Sequence, residues 1–336
     1  MDRRRFLKWA GALGVGLTPL VFAAPVRERI LGKSLASASQ TRPHMGTVVT
    51  VTILHPSAEK AREAMEDAFA EMERLIPLLD RHAPDTPVSR LNHRGILKDA
   101  PPELLEVMDQ ARRIHRLTRG AFDISVKPVL DLFEDSFSRN QSAPSEEEIG
   151  RALRRVGAEH IRCGEKQIQF FREGMEISLD GIAKGYIVEK VVSRLKSGGI
   201  RHALINAGGD ILALGDKGNG QPWRIAIQDP RERNQVLQII PLRDGAVATS
   251  GDYENFFDGE RKYHHIIDPH TGHSPQQVTS VSVRARSLTL ADALATAAFI
   301  PPREEARAFL RAIPGTEALW VDRKKVQMNS EGWERA

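Results

Sequence analysis

The chain has 336 residues, 41% of them hydrophobic, which is enough to bury a large core as one domain or two sharing a cleft and excludes disorder as the default. Its formal net charge of +4 is local: residues 1–36 hold seven basic and two acidic side chains, leaving 41 of the 48 basic and 42 of the 44 acidic groups for the rest, so charge implies no nucleic-acid partner. Cys163 is the single cysteine, which excludes an intramolecular disulfide, a cysteine metal cluster and a lipoprotein anchor.

The chain begins Met1-Asp2-Arg3-Arg4-Arg5-Phe6-Leu7-Lys8, followed by an apolar run to Ala24 interrupted by Gly11, Gly14, Gly16 and Pro19. The 16 residues from Trp9 to Ala24 fall short of the ~20 a spanning helix needs, so the segment reads as an export signal of the twin-arginine type rather than a membrane helix. Small residues at 22–24 and 36–39 both offer cleavage points. Residues 1–38 are therefore expected to be signal and linker, and 39–336 a catalytic domain.

Beyond a Ser/Ala/Gln linker around 34–41, residues 47–53 alternate as a β-branched strand. Apolar Ala61, Met65, Ala68, Phe69, Met72 and Leu75 recur at helical spacing over 58–79, and Pro101-Pro102 announces a helix over 103–118. The polar stretch 134–148 reads as a surface excursion before a short helix near 146–155. Strands are expected at 167–171, 175–179, 202–206, 211–214, 223–227, 236–240 and 278–285, with helices at 182–197 and 289–300. Helices and strands intersperse without a repeating βα unit, which favours α+β over a doubly wound sheet.

Polar chemistry concentrates at Thr249-Ser250-Gly251-Asp252-Tyr253 and at His264-His265-Ile266-Ile267-Asp268-Pro269-His270-Thr271-Gly272, a density that a packed core alone would not favour. Asp292 and Thr296 stand four apart in a helix, so their oxygens share a face and suit a hard cation such as Mg²⁺. A dipole-stabilising Asp and a Thr bonded back to its own helix would explain the same pair. The turn from Ser178 to Tyr186 places Lys184 at a helix N-terminus; it resembles a phosphate loop without Walker spacing, and a lysine on a solvated face is the plain alternative. Asn206-Ala207-Gly208-Gly209-Asp210 reads as a close-approach turn or a tight hairpin. His264, His265, His270 and His273 suggest zinc, but neither HExxH nor paired thiolates accompany them, and one histidine acting as general base is simpler.

Taken in order, MGT at 45–47, SRLN at 89–92, GAFD at 120–123, DGIAKGY at 180–186, NAGGD at 206–210, WRIAIQDP at 223–230, TSGDY at 249–253, HIIDPHTG at 265–272 and ADALAT at 291–296 resemble the ApbE-like FAD:protein FMN transferases. The resemblance implies an α+β, T-fold-related arrangement of mixed sheets with packed helices and FAD bound in a cleft. It also implies FAD contacts at Met45, His82, Ala121, Phe122, Asp123, Ser178, Lys184 and Ile267, with Mg²⁺ held by Asp292, Thr296 and the carbonyl of Gly181. His265 matches the histidine that would deprotonate an acceptor threonine, whose protein would be a NosR-, Rnf- or Nqr-type subunit; a twin-arginine leader is similar to the NosX branch. Two positions depart from the family pattern: Ser178 replaces a usual Asp while Asp180 replaces a common Gly, and His82 stands where an aromatic is common. The competing readings are an FAD carrier without transfer activity and a flavin redox enzyme, and an intact base and cation site favour catalysis over both.

Overall fold

The computed structural model describes residues 27–31, 35–232 and 234–333. Its centre is a nine-stranded sheet in the order β1 (Arg27–Leu31), β2 (Leu35–His44), β3 (Thr47–His55), β7 (His202–Ala207), β8 (Asp210–Leu214), β11 (Gly245–Gly251), β12 (Val278–Ala285), β13 (Glu317–Asp322), β14 (Gln327–Asn329). Each neighbouring pair in it runs antiparallel. The alternation of apolar side chains along these strands loads both faces. On one face Val49, Val51, Ile53, Ile205, Ala248, Val281 and Trp320 join the main core; on the other Ile211, Val247, Leu319 and Val321 join a second.

Helices α1 (Ala58–Leu79), α6 (Ala183–Ser197) and α7 (Leu288–Phe299) cover the first face, α1 against α6, α6 against α7, and α7 on β11 and β12. The helical spacing seen in the sequence is the buried stripe of α1, and Ser57 caps its start by accepting from the Lys60 N–H at 3.2 Å. A two-stranded ribbon, β9 (Trp223–Gln228) and β10 (Val236–Leu242), covers the other face through Trp223, Ile225, Ile227 and Ile240. The chain is thus α+β. A satellite of α4 (Lys127–Asn140) and α5 (Glu146–Leu153) has its own small core around Phe133, Ile149 and Ile267. The remaining elements are α2 (Pro87–Arg94), α3 (Pro102–Leu117), α8 (Arg303–Arg311) and a small sheet ordered β4 (Ile96–Lys98), β6 (Gln167–Phe170), β5 (Ile161–Cys163).

Several expectations are corrected. The stretch expected to be a linker is strand β2, paired on both sides, with Ala38 1% exposed, so the 36–39 cleavage point falls inside the sheet. The leader and the 22–24 point lie outside the described residues. Residues 134–140 are the second half of α4 rather than an excursion. The strand expected at 175–179 is extended chain held without a ladder: Ile177 donates to Asn92 Oδ1 at 2.8 Å and Ser178 to the Ile124 carbonyl at 2.8 Å. The SRLN segment forms α2, capped by Thr86 with Pro87 in its first turn. No helix among the described residues is long and apolar enough to cross a membrane.

Candidate active site

The site lies where one end of the sheet meets the helix layer. The β7–β8 turn delivers Asp210, and the Thr249 N–H on β11 donates to its Oδ1 at 3.3 Å. Lys184, in the first turn of α6, places Nζ 2.6 Å from Asp210 Oδ2. Asp292 comes from α7, is 5% exposed, and accepts from the Gly185 N–H at 3.0 Å. That bond requires α6 and α7 to cross closely, and Gly185 permits it: a Cβ there would stand 2.5 Å from the Leu288 carbonyl oxygen.

Burial pushes the Asp292 carboxyl up to about 7, and Asp210 adds to the rise while Lys184 and the Gly185 N–H oppose it. Burial alone would lower the Lys184 ammonium, yet Asp210 and Asp292 hold it well above its usual range. Two carboxylates therefore share one lysine, a local deficit of positive charge in a setting where charge is weakly screened. Thr296 lies one turn beyond Asp292, 3.2 Å from Ser250 Oγ and 3.2 Å from where a Gly181 Cβ would be. Thr296 and Ser250 meet beside Gly181, with the Asp292 carboxylate one turn away on the helix that carries Thr296, and these side chains offer oxygens of the kind Mg²⁺ prefers.

Phe122 Cε2 approaches the same Gly181 position at 3.4 Å, which brings the GAFD turn to the site. Asp180, one residue before Gly181, accepts from Arg81 Nε at 2.8 Å, and His82 Nε2 stands 3.9 Å from its other oxygen. Burial works to raise the Asp180 carboxyl, but Arg81 and His82 outweigh it and the group stays below its usual range. Ser178 accepts from the Asp180 N–H at 3.2 Å, so Ser178, Asp180 and His82 form one strip. Met45 sits left-handed, φ 52°, in the β2–β3 turn, and Thr47 beside it packs on Gly208 of the β7–β8 turn.

His265 is held by backbone: its N–H donates to the Asn255 carbonyl at 3.0 Å and its Nδ1 lies 2.9 Å from the same oxygen. Nδ1 is then the donor, leaving Nε2 with a free lone pair. Burial lowers the imidazole's pKa, with Asp180 raising it and Lys184 lowering it, so His265 is neutral at pH 7 and ready to take a proton.

Other expected residues serve the fold with their side chains. Asp123 is buried and accepts from Ser125 N, Ser125 Oγ and Ala158 N at 2.7, 2.6 and 3.0 Å. Ile267 and Ala121 are 3% and 5% exposed, the former in the satellite core and the latter in the main core. The four clustered histidines diverge: His264 bonds the Pro275 carbonyl, His265 the Asn255 carbonyl, His273 approaches Glu146, and His270 packs on Gly120. Arg81 and Asp210 were missed as site residues. Asp210 was visible as the end of NAGGD, whereas Arg81 reaches a partner 99 positions away that no local pattern signals. In TSGDY, Asp252 is fully buried and doubly bonded by Arg231 at 3.0 and 2.8 Å, an anchor rather than a reactive group.

Residues 45–320 match the model of the ApbE family. The chain belongs to the ApbE family. Among similar proteins, the FAD:protein FMN transferase of Treponema pallidum is 32% identical over 302 residues, 82% of each chain. That of Vibrio cholerae is 32% identical over 278 residues, 80% of this chain and 83% of its own. The crystal structure of the ApbE protein from Thermotoga maritima superposes with a TM-score of 0.79 at 30% identity, over 93% of this chain and 100% of that one. The flavin transferase ApbE from Vibrio cholerae gives 0.79 at 28% identity, over 93% and 99%. The ApbE match includes Asp180, Lys184, Asp210, His265, Asp292 and Thr296.

Proposed function

We propose that this chain is an FAD:protein FMN transferase: it moves FMN from FAD to a threonine hydroxyl of a flavoprotein and releases AMP. The observation that carries the reading is the pairing of an oxygen-donor cluster at Asp292, Thr296 and Gly181 with a neutral, backbone-held His265 across Lys184. The acceptor threonine oxygen attacks the FMN-side phosphorus, the new phosphoester bond forms, the bond to AMP breaks, and the hydroxyl proton passes to His265 Nε2. Lys184 offsets negative charge developing on the phosphoryl oxygens. Asp292, Thr296 and the Gly181 carbonyl would hold Mg²⁺, which supplies charge neutralisation at the pyrophosphate.

Phe122 at the GAFD turn and the Ser178–Asp180–His82 strip flank this centre and would contact FAD, as would Met45. Asp180, fixed by Arg81, stands in for the carboxylate expected at position 178. The acceptor would be a membrane-associated or exported flavoprotein of the NosR, Rnf or Nqr type, met in the periplasm after twin-arginine export. That location rests on the sequence of residues 1–24.

Full-length protein, FAD, Mg²⁺ and a threonine-bearing flavoprotein domain should yield an FMN-sized mass gain on the acceptor and free AMP. His265→Ala should keep FAD binding and slow transfer by roughly 10²–10⁴-fold. FAD bound but intact with all such acceptors unmodified would instead favour a carrier.

A further inference from the structure

The Gly120–Asp123 turn, the segment around Glu159 and the Pro269–His270 turn line an open cavity of about 210 Å³ whose lining includes neither Lys184 nor Asp292. We propose that this cavity is a second metal site, for a first-row transition ion of the Zn²⁺ type, with His115, Glu159 and His270 as ligands. One ligand atom from each of His115, Asp123 and Glu159 lies within 4.8 Å of the other two. Zinc bonds of about 2.0–2.2 Å put tetrahedral donors roughly 3.4 Å apart, so His115 Nε2 and Glu159 Oε2, 3.9 Å apart, need a small adjustment, with Asp123 behind the His115 ring rather than on the ion.

The His115 ring is already set for metal. Its Nδ1 lies 3.0 Å from the Phe122 carbonyl and 3.4 Å from Asp123 Oδ2, so Nδ1 carries the proton and Nε2 offers a lone pair. A backbone carbonyl and a carboxylate behind an imidazole are the outer partners that orient metal-binding histidines. His115 Nε2 faces Glu159 Oε2 at 3.9 Å, and His160 Nε2 steadies the other Glu159 oxygen at 3.2 Å.

His270 completes the set from the opposite turn. A Cβ on Gly120 would stand 3.2 Å from His270 Nε2 and 3.7 Å from His115 Cε1, so the missing side chain lets both imidazoles face one space. Gly120 also has φ +87°, where other residues are strained. Two carboxylates against one rim guanidinium at Arg119 leave the carboxylates in excess, which favours a dication. Imidazole nitrogens select Zn²⁺ and its neighbours over Mg²⁺, so this site and the oxygen-donor centre would discriminate between cations. The ion would clamp the end of α3 to the turn that follows His265 by a few residues.

Zinc chloride titrated calorimetrically into full-length protein that has been treated with chelator and returned to excess Mg²⁺ should show one equivalent bound. Glu159→Gln and His270→Ala remove exposed side chains, should melt like the parent in chelator, and should each weaken Zn²⁺ at least about tenfold. Asp292→Ala should leave Zn²⁺ uptake unchanged, which separates this site from the transferase reading. Cobalt substitution should give the visible absorption of a nitrogen- and oxygen-ligated four-coordinate ion. The proposal is overturned if no equivalent binds, or if binding survives both ligand substitutions at full strength.

Discussion

Replacing Gly185 by alanine sets two physical effects against each other. Helix propensity favours Ala over Gly by up to about 1 kcal/mol in a helix interior. Packing predicts the reverse, because the added methyl would meet the Leu288 carbonyl oxygen at 2.5 Å, its carbon at 2.8 Å and Thr289 Cα at 2.9 Å. These are backbone atoms, so no rotamer relieves the clash and α6 must part from α7. Overpacking of this kind costs about 1–3 kcal/mol, and parting the helices also weakens the Gly185–Asp292 bond, a charged hydrogen bond of about 1.5–3 kcal/mol. The net expectation is a loss of about 2–5 kcal/mol, read by urea unfolding, with weakened Mg²⁺-dependent FAD retention. Gly150 in α5 is the control: nothing lies within 4 Å of its Cβ position, so Gly150→Ala should stabilise by about 0.5–1 kcal/mol. Equal or greater stability in Gly185→Ala would refute the close-crossing argument.

Arg231→Ala should destabilise by about 3–5 kcal/mol, since it strands the fully buried Asp252 carboxylate; chemical unfolding measures it. His264 is fully buried and its pKa is lowered to about 4, chiefly by burial. The folded state therefore binds fewer protons than the unfolded one, and stability should fall by up to roughly 3 kcal/mol as pH drops from about 6.5 to 4. His264→Gln should flatten that part of the profile. Asp292→Asn keeps an acceptor for the Gly185 N–H while removing the buried charge. In the absence of divalent cation it should unfold at higher temperature than the parent at pH 8, and it should lose FMN transfer; a lower melting temperature would refute the charge-deficit argument.

Much of this arrangement was readable along the chain because its signals are local. The stripe from Ala61 to Leu75 gave α1 its bounds, and the alternation at 278–285 matched β12 to the residue. Strand β11 was not anticipated because Gly245–Gly251 is Gly, Ala, Ser and Thr around one Val; its strand state comes from neighbours β8 and β12. Helix α4 was missed as a whole because its second half is largely polar, and the stripe Val129, Leu130, Phe133 and Phe137 finds its partners only in the satellite core. In the site, Asp292 and Thr296 were visible through helical spacing. The Arg81–Asp180 pair and the facing of His115 and His270 arise only when distant segments fold together, as does the packing of the Ile267 side chain in the satellite core.

The two groups to which the proposed transfer assigns a cation and a proton are both steadied by main-chain atoms: Asp292 by an amide of α6, and His265 by a carbonyl in the loop after β11. The side chain at position 255 is therefore not what aims the imidazole, because the contact is a carbonyl that every residue brings. What cannot drift is the number of residues between Asp252, locked under Arg231, and His265. Loop length, more than residue identity, should thus be what keeps the imidazole in place, and a graft of equal span between Asp252 and His265 is the conservative exchange.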